Sequence, residues 1–275
     1  MSNPLKNKKI SFIGGGNMAQ ALISGLLAKG ILPEYITVSD PNHDNREQLQ
    51  AKGINTIDSA KNPLDALMAD VVVLAVKPQI MADVLADFSQ VLDKQLIISV
   101  AAGLSTDSLT KMLNGYQNIV RAMPNTPAMV QAGATGLYAT DSINEQEKQL
   151  ATELMGASGL VIWVDDEEQL HAVTAVSGSA PAYFFYFIES VIQGGIDLGL
   201  SQEQASALAM QTALGAAKMS ISSDDTPEQL RRKVMSPGGT TEAAVHSLQA
   251  DKVNELIGKA MQACVKRSRE MSGQN

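Results

Sequence analysis

The sequence predicts an α/β N-terminal domain built on a mostly parallel sheet, followed by an all-α C-terminal domain. Short apolar runs alternate with amphipathic stretches through the first half, the pattern of parallel strands joined by crossover helices. Two of these runs, starting at Val71 and Leu96, are nearly uninterrupted Val, Ile, Leu and Ala, as strands buried on both faces require. After Val164 the pattern changes. An acidic stretch from Asp165 to Glu168 leads into helical periodicity with almost no strand-like run. The domains are therefore expected at residues 1–165 and 166–275.

Strands are expected at Lys9–Ile13, Ile36–Ser39, Val71–Val76, Leu96–Val100, Asn118–Ala122, Thr135–Ala139 and Val161–Val164. Helical patterns between them include Met18–Ala28, Arg46–Lys52 and Met81–Phe88. In the second half, helices are expected at Gln169–Val176, Ala182–Leu198, Gln202–Ile221, Pro227–Val234, Thr241–Leu248 and Val253–Met271. Ser201 with Gln204, and Thr226 with Gln229, stand at capping-box spacing and mark two of those starts. The face carrying Ala205, Ala209, Ala213 and Ala216 lets another helix approach closely, either within the chain's own core or from a second subunit. A domain of about 110 residues has limited capacity to bury a core alone, so a homodimer through the helical half is expected.

Composition excludes several function classes. A net charge of −8 and a pI near 4.9 argue against a phosphate-backbone partner, and no nucleic acid is expected. Cys264 is the only cysteine, which rules out an internal disulfide and a cysteine metal cluster. His43, His171 and His246 show no ligand or triad spacing, so no metal is expected. The apolar run entering the glycines is too short for a signal peptide. The aromatic segment Tyr183–Phe187 belongs to an apolar stretch short of the about 20 residues a membrane span needs. The reading is a cytoplasmic protein with no membrane partner.

The strongest local motif is Ile10–Ser11–Phe12–Ile13–Gly14–Gly15–Gly16–Asn17–Met18–Ala19, a G-x-G-x-x-A pattern between a strand and a helix. Gly14 permits the tight turn, Gly16 admits a pyrophosphate, and Ala19 lets the helix pack on the strand. Asp40 ends the second strand where an acidic residue would accept a free ribose, tilting towards NAD. A one-residue shift puts Ser39 there instead, and Arg46 is within reach, so NADP and NAD both stay open. Ala75–Val76–Lys77–Pro78 and Ala101–Ala102–Gly103 close the third and fourth expected strands, on the edge where a doubly wound sheet places ligands. Asn125 follows the fifth on the same edge.

Two segments of the helical half are rich in small and polar residues: Ser177–Gly178–Ser179–Ala180–Pro181–Ala182–Tyr183 and Ser236–Pro237–Gly238–Gly239–Thr240–Thr241. The second, leading into a helix, offers backbone N–H groups and hydroxyls suited to a carboxylate. An ordinary loop with a threonine N-cap would read the same way.

Taken in order, Phe12–Met18, Ala75–Pro78, Arg121–Pro127, Ser177–Tyr183 and Ser236–Thr241 resemble pyrroline-5-carboxylate reductase through essentially the whole chain. The resemblance implies a Rossmann-type domain with a helical dimerisation domain, dimers that often assemble further, and reduction of 1-pyrroline-5-carboxylate to L-proline with NAD(P)H. By position it implies that Gly14, Gly15, Gly16, Asn17, Met18, Ala19, Ala75, Val76, Lys77, Pro78, Ala101, Ala102 and Gly103 meet the cofactor. Ser236, Gly238, Gly239, Thr240 and Thr241 would surround the small-molecule substrate, with Thr241 nearest the ring nitrogen and therefore the catalytic candidate. Glu167, Ser177, Gly178 and Ser179 would be further pocket walls. Lys233 stands where some relatives carry a neutral residue and is left out of the site.

A protonated imine is already a good hydride acceptor, so such a site needs orientation and charge placement more than a strong acid. Two rival readings use the same architecture. A β-hydroxyacid dehydrogenase would need a lysine beside Ser177–Tyr183, which this sequence lacks. A nucleotide-binding sensor would have no need of the Ser236–Thr241 turn. Activity on a larger cyclic imine depends on pocket shape and stays open.

Overall fold

The computed structural model describes residues 4–59, 63–86 and 88–273. The N-terminal part runs β1 (Ile10–Ile13), α1 (Asn17–Ala28), β2 (Ile36–Ser39), α2 (His43–Gln50), β3 (Asn55–Ile57), β4 (Val71–Leu74), α3 (Met81–Leu85), β5 (Leu96–Ser99) and α4 (Thr106–Met112). It continues through β6 (Ile119–Met123), β7 (Gly133–Ala139), α5 (Glu145–Met155), β8 (Gly159–Trp163) and α6 (Gln169–Val173). The remaining helices are α7 (Ala180–Asp197), α8 (Gln202–Ser222), α9 (Pro227–Lys233), α10 (Thr240–Ala250) and α11 (Val253–Met271).

The sheet order is β3-β2-β1-β4-β5-β6-β7-β8. Strands β1 to β6 are parallel, β7 runs antiparallel to β6, and β8 is parallel to β7. The reversal follows from the short link between β6 and β7. A parallel return needs a crossover of about a dozen residues or more. The central strands alternate between two cores. Val71, Val73 and Ile98 pack with Phe12, Leu22 and Leu26 on one face. Val72, Leu74 and Ile97 pack with Ile13, Met81 and Phe88 on the other. Both faces are covered, which is why these strands read as continuous apolar runs.

The chain divides into two compact units, one reaching Ser179 and taking up Cys264 onwards, the other Ala180–Ala263. The division falls later than the expected boundary near residue 165 because α6 belongs with the sheet. A Cβ at Gly136 on β7 would lie 2.7 Å from Val173 Cγ1 on α6. The expected helix Gln169–Val176 stops at Val173 and widens into a π-turn at Thr174–Gly178. Such insertions cluster at functional sites. The helix expected over Met81–Phe88 ends at Leu85, and Asp87 lies outside the described residues. β3, α4 and α5 add to the elements expected from sequence.

In the helical unit, Ser201 and Thr226 both form complete capping boxes, as their spacing suggests. Helix α7 exposes Phe184, Phe185, Tyr186 and Phe187, and α8 exposes Leu208 and Leu214. Exposed large apolar side chains in this number mark an interaction surface. Among the described residues, no helix is long and apolar enough to cross a membrane, and no group of histidine, cysteine and acidic side chains could hold a metal.

Candidate active site

In the first unit, β1 delivers Gly14 into a turn at φ +100°, a region open to glycine but not to residues with a Cβ. Its N–H donates to the Ser39 carbonyl at 2.8 Å. A Cβ at Gly14 would stand 2.8 Å from the Ala75 carbonyl oxygen, so the end of β4 passes directly against the turn. Gly16 is different. It is the N-cap of α1 at φ −71°, and no neighbouring atom lies within 4 Å of where its Cβ would stand. No side chain caps α1 there. The N–H groups of Asn17, Met18 and Ala19 therefore remain for an anion at the positive end of the helix. Open space over Gly16 and an uncapped helix start fit a dinucleotide pyrophosphate. Buried Ala19 packs beneath them.

The turn is held from below by β2. Ser39 and Asp40 are both buried. Asp40 Oδ2 accepts the Gly15 N–H at 2.6 Å and the Asn45 side-chain amide at 3.3 Å, and Oδ1 accepts the Asn42 N–H at 2.7 Å. Arg46 donates to the Asp40 carbonyl at 2.8 Å and to the Asp58 carboxylate at 3.4 Å. Beside them lies a cleft of about 300 Å³ whose lining includes Ile13, Ser39, Pro41, Val76, Ile80 and Val84. Its walls are mostly apolar, with Ser59 and Asp83 as further polar members.

The other loops share the carboxyl edge of the sheet. Lys77 is exposed and precedes Pro78, which starts a short 3-10 turn. Ala101 is buried and Ala102 exposed, while Gly103 adopts φ +77° with the Met271 backbone 3.3 Å from its Cβ position. Asn125, expected on the cofactor, has both ends of its amide engaged within the protein. Its nitrogen donates to the Ser177 carbonyl at 3.1 Å and its oxygen accepts the Ala134 N–H at 2.9 Å. This brace ties the turn after β6 to β7 and to the π-turn. Within that π-turn, Ser177 donates to the Val173 carbonyl at 2.9 Å, and a Cβ at Gly178 would strike Met123 Cε at 2.7 Å. Ser179 Oγ accepts from the Cys264 thiol at 3.3 Å.

Glu167 is likewise engaged. Oε1 accepts the Thr106 N–H at 2.8 Å and Arg121 Nη1 at 2.9 Å, and Oε2 accepts the Thr106 hydroxyl at 2.7 Å. The Arg121 side chain is 6% exposed and that of Glu167 20%. The carboxylate so locks β6 to the start of α4, just beyond the 101–103 loop. Burial, with the negative charges of Glu167 and nearby aspartates, holds the Tyr138 phenol above its usual range.

In the second unit, α9 ends at Lys233, which forms an ion pair with Asp225 and holds that carboxyl below its usual range. The chain then turns through Ser236–Gly239 into α10. Gly238 adopts φ +71°, and Gly239 donates to the Ser236 carbonyl at 2.9 Å. Gly239, not a threonine, is the N-cap, and it has no side-chain capping bond. Thr240 and Thr241 are the first two helical residues, so their N–H groups point out of the helix start without intrahelical partners. Glu242 reaches back to accept the Gly238 N–H at 2.8 Å. Ser236, Gly238, Thr240 and Thr241 are exposed.

The structure thus gathers Gly14–Ala19, Ser39, Asp40, the 75–78 loop and the 101–103 loop along one sheet edge of the first unit. It gathers Ser236–Thr241 at one helix start in the second. Sequence reasoning missed Thr106, Arg121 and Glu242. Glu242 had a readable signal, an acidic residue three positions beyond a helix N-cap; the other two are brought to Glu167 by tertiary folding alone.

Residues 167–271 match the family model for pyrroline-5-carboxylate reductase dimerisation, and residues 9–103 match the model for NADP oxidoreductase, coenzyme F420-dependent. The chain is 46% identical to the pyrroline-5-carboxylate reductase of Pseudomonas aeruginosa over 276 residues, covering 100% of this chain and 99% of that one. It is 38% identical to the enzyme of Escherichia coli, covering 96% and 98%. Among solved structures, that of the Coxiella burnetii pyrroline-5-carboxylate reductase superposes with a TM-score of 0.92 at 42% identity, covering 97% and 99%. The Plasmodium falciparum pyrroline carboxylate reductase with NADP bound gives 0.85 at 31% identity, covering 97% and 99%. The chain belongs to the pyrroline-5-carboxylate reductase family.

Proposed function

We propose that Gly14–Ala19 with the 75–78 and 101–103 loops hold NADPH or NADH, and that Ser236–Thr241 hold 1-pyrroline-5-carboxylate as it is reduced to L-proline. That reduction, the last step of proline biosynthesis, is the activity of this family, and the chain is an NAD(P)H-dependent oxidoreductase. The observation that carries the site assignment is the Ser236–Gly239 turn, with Gly238 at φ +71°, opening into a helix start without a side-chain cap at Gly239. Like the start of α1, it offers backbone N–H groups to an anion, here the substrate carboxylate.

The N–H groups of Thr240 and Thr241 and the hydroxyls of Ser236 and Thr240 would hold the carboxylate. The Thr241 hydroxyl would fix the ring nitrogen and so orient the imine carbon. The bound nicotinamide supplies the hydride. Addition to the imine carbon sends the π pair to nitrogen, turning a protonated imine into a secondary amine with no acid needed on carbon. Glu167 and the Ser177–Ser179 turn brace the first unit from within, through the bonds already described. The exposed aromatic face of α7 supports a homo-oligomer built through the helical domain, with dimers joining into larger assemblies. A cytoplasmic location fits an enzyme that draws on the reduced nicotinamide pool.

Steady-state oxidation of NADPH and NADH with 1-pyrroline-5-carboxylate tests the reading. Thr241→Ala is expected to lower kcat by roughly 100-fold with little change in cofactor affinity. Full activity in that variant would remove Thr241 from the site.

A further inference from the structure

We infer that Asp40 is a positioning residue of the glycine turn and does not read the ribose 2′ position, so it contributes no discrimination between NADPH and NADH. The inference rests on the cofactor assignment above. An acidic residue that selects NAD must turn free acceptor sites towards the ribose hydroxyls. A carboxylate has about four such sites. Three of those of Asp40 are filled from inside the protein, by the Gly15 N–H, the Asn42 N–H and the Asn45 amide. The two backbone contacts, at 2.6 and 2.7 Å, have the short lengths of charge-assisted bonds.

The position of the group agrees. Asp40 is only 6% exposed. Its Oδ2 lies 3.3 Å from the place a Cβ on Gly15 would take, so the carboxylate sits beneath the turn. There it ties three backbone features together: the Gly14–Gly16 turn, the end of β2 and the start of α2. The Gly15 N–H it holds lies within the turn whose neighbour, Gly16, presents the open approach for a pyrophosphate. Loss of the carboxylate should therefore disturb what NADPH and NADH share. Discrimination at the 2′ position would fall to groups that face outward, among them exposed Asn42 and Lys77.

The test is calorimetric titration of the full-length protein with NADPH and with NADH, for wild type, Asp40→Asn and Asp40→Ala. Both variants are expected to weaken both cofactors together, by roughly tenfold for alanine and less for asparagine, whose amide oxygen can still accept the Gly15 N–H. The ratio of the two Kd values should stay within about threefold of wild type. A ratio that moves more than about tenfold towards NADPH would show Asp40 reading the ribose and overturn the inference. Unchanged affinity for both cofactors would overturn it equally, because the turn would then not depend on the carboxylate. Should both variants fail to fold, wild type alone decides: a preference for NADH above about 100-fold contradicts a site in which Asp40 is silent, and a smaller one supports it. If folded wild type binds neither cofactor, the failure lies with the cofactor assignment itself.

Discussion

Alanine at Gly14 and alanine at Gly16 should fail in opposite ways, although the two positions are two residues apart. At Gly14 the backbone sits at φ +100°, and the new methyl would stand 2.8 Å from the Ala75 carbonyl oxygen and 2.9 Å from its carbon. The left-handed conformation costs about 1–2 kcal/mol for a residue with a Cβ. Forcing a methyl against packed backbone costs about 1–3 kcal/mol more. The neighbour here is the end of a central strand rather than a flexible side chain, so little of this can relax. Gly14→Ala should therefore lose about 2–5 kcal/mol of stability, together with cofactor binding. At Gly16, φ is −71° and the methyl meets no protein atom within 4 Å. Stability should change by about 1 kcal/mol or less, while cofactor affinity falls by roughly tenfold or more because the methyl fills the pyrophosphate approach. Urea denaturation gives the first quantity and cofactor titration the second. A stable Gly14→Ala protein, or a Gly16→Ala protein that binds NADPH normally, would refute the argument.

Removing the Glu167 side chain leaves Arg121 buried without its carboxylate, and Glu167→Ala should cost about 3–5 kcal/mol, with Glu167→Gln milder; urea denaturation measures both. At the substrate turn, Glu242→Ala should raise KM for pyrroline-5-carboxylate by roughly threefold by loosening the turn that Glu242 holds through the Gly238 N–H, whereas Glu242→Gln keeps an acceptor there and should leave KM within about twofold of wild type. Initial-rate kinetics separates the two. Burial is the main cause that pushes the Tyr116 phenol up to about 12. Because the folded protein holds that proton more tightly than the unfolded chain, whose tyrosines titrate near pH 10, this contribution to stability is full below about pH 10 and is lost as pH rises through about 12. Tyr116→Phe should flatten that alkaline loss and remove one late-titrating phenol from an ultraviolet pH titration.

Much of the sheet was legible because its strands are buried on both faces. Val71–Leu74 and Leu96–Ser99 announce themselves as apolar runs, whereas β3 carries Asn55 and Thr56 on a three-residue edge strand and gives no such signal. The reversal at β7 was hidden because strand composition does not encode direction; only the short link after β6 hints at it. Local rules also located the glycine turn and the Ser236–Thr241 turn, since each is a contiguous motif. What local rules could not supply was the state of each acceptor. Asp40 reads in sequence as a ribose acceptor and Asn125 as a residue on the cofactor edge; the partners they hold within the protein, Gly15 and Ser177, lie across the fold. The same holds for Glu167, whose partners Thr106 and Arg121 are distant in sequence.

The most direct test of the whole account follows the hydride. The protein is incubated with 1-pyrroline-5-carboxylate and NADPH deuterated at the nicotinamide C4, and the product is resolved by chiral chromatography and mass spectrometry. The account predicts L-proline in step with NADPH consumed, with one deuterium on the ring carbon across the nitrogen from the one bearing the carboxylate. Cofactor oxidised without proline, or proline carrying no deuterium from either face-specific label, would contradict it.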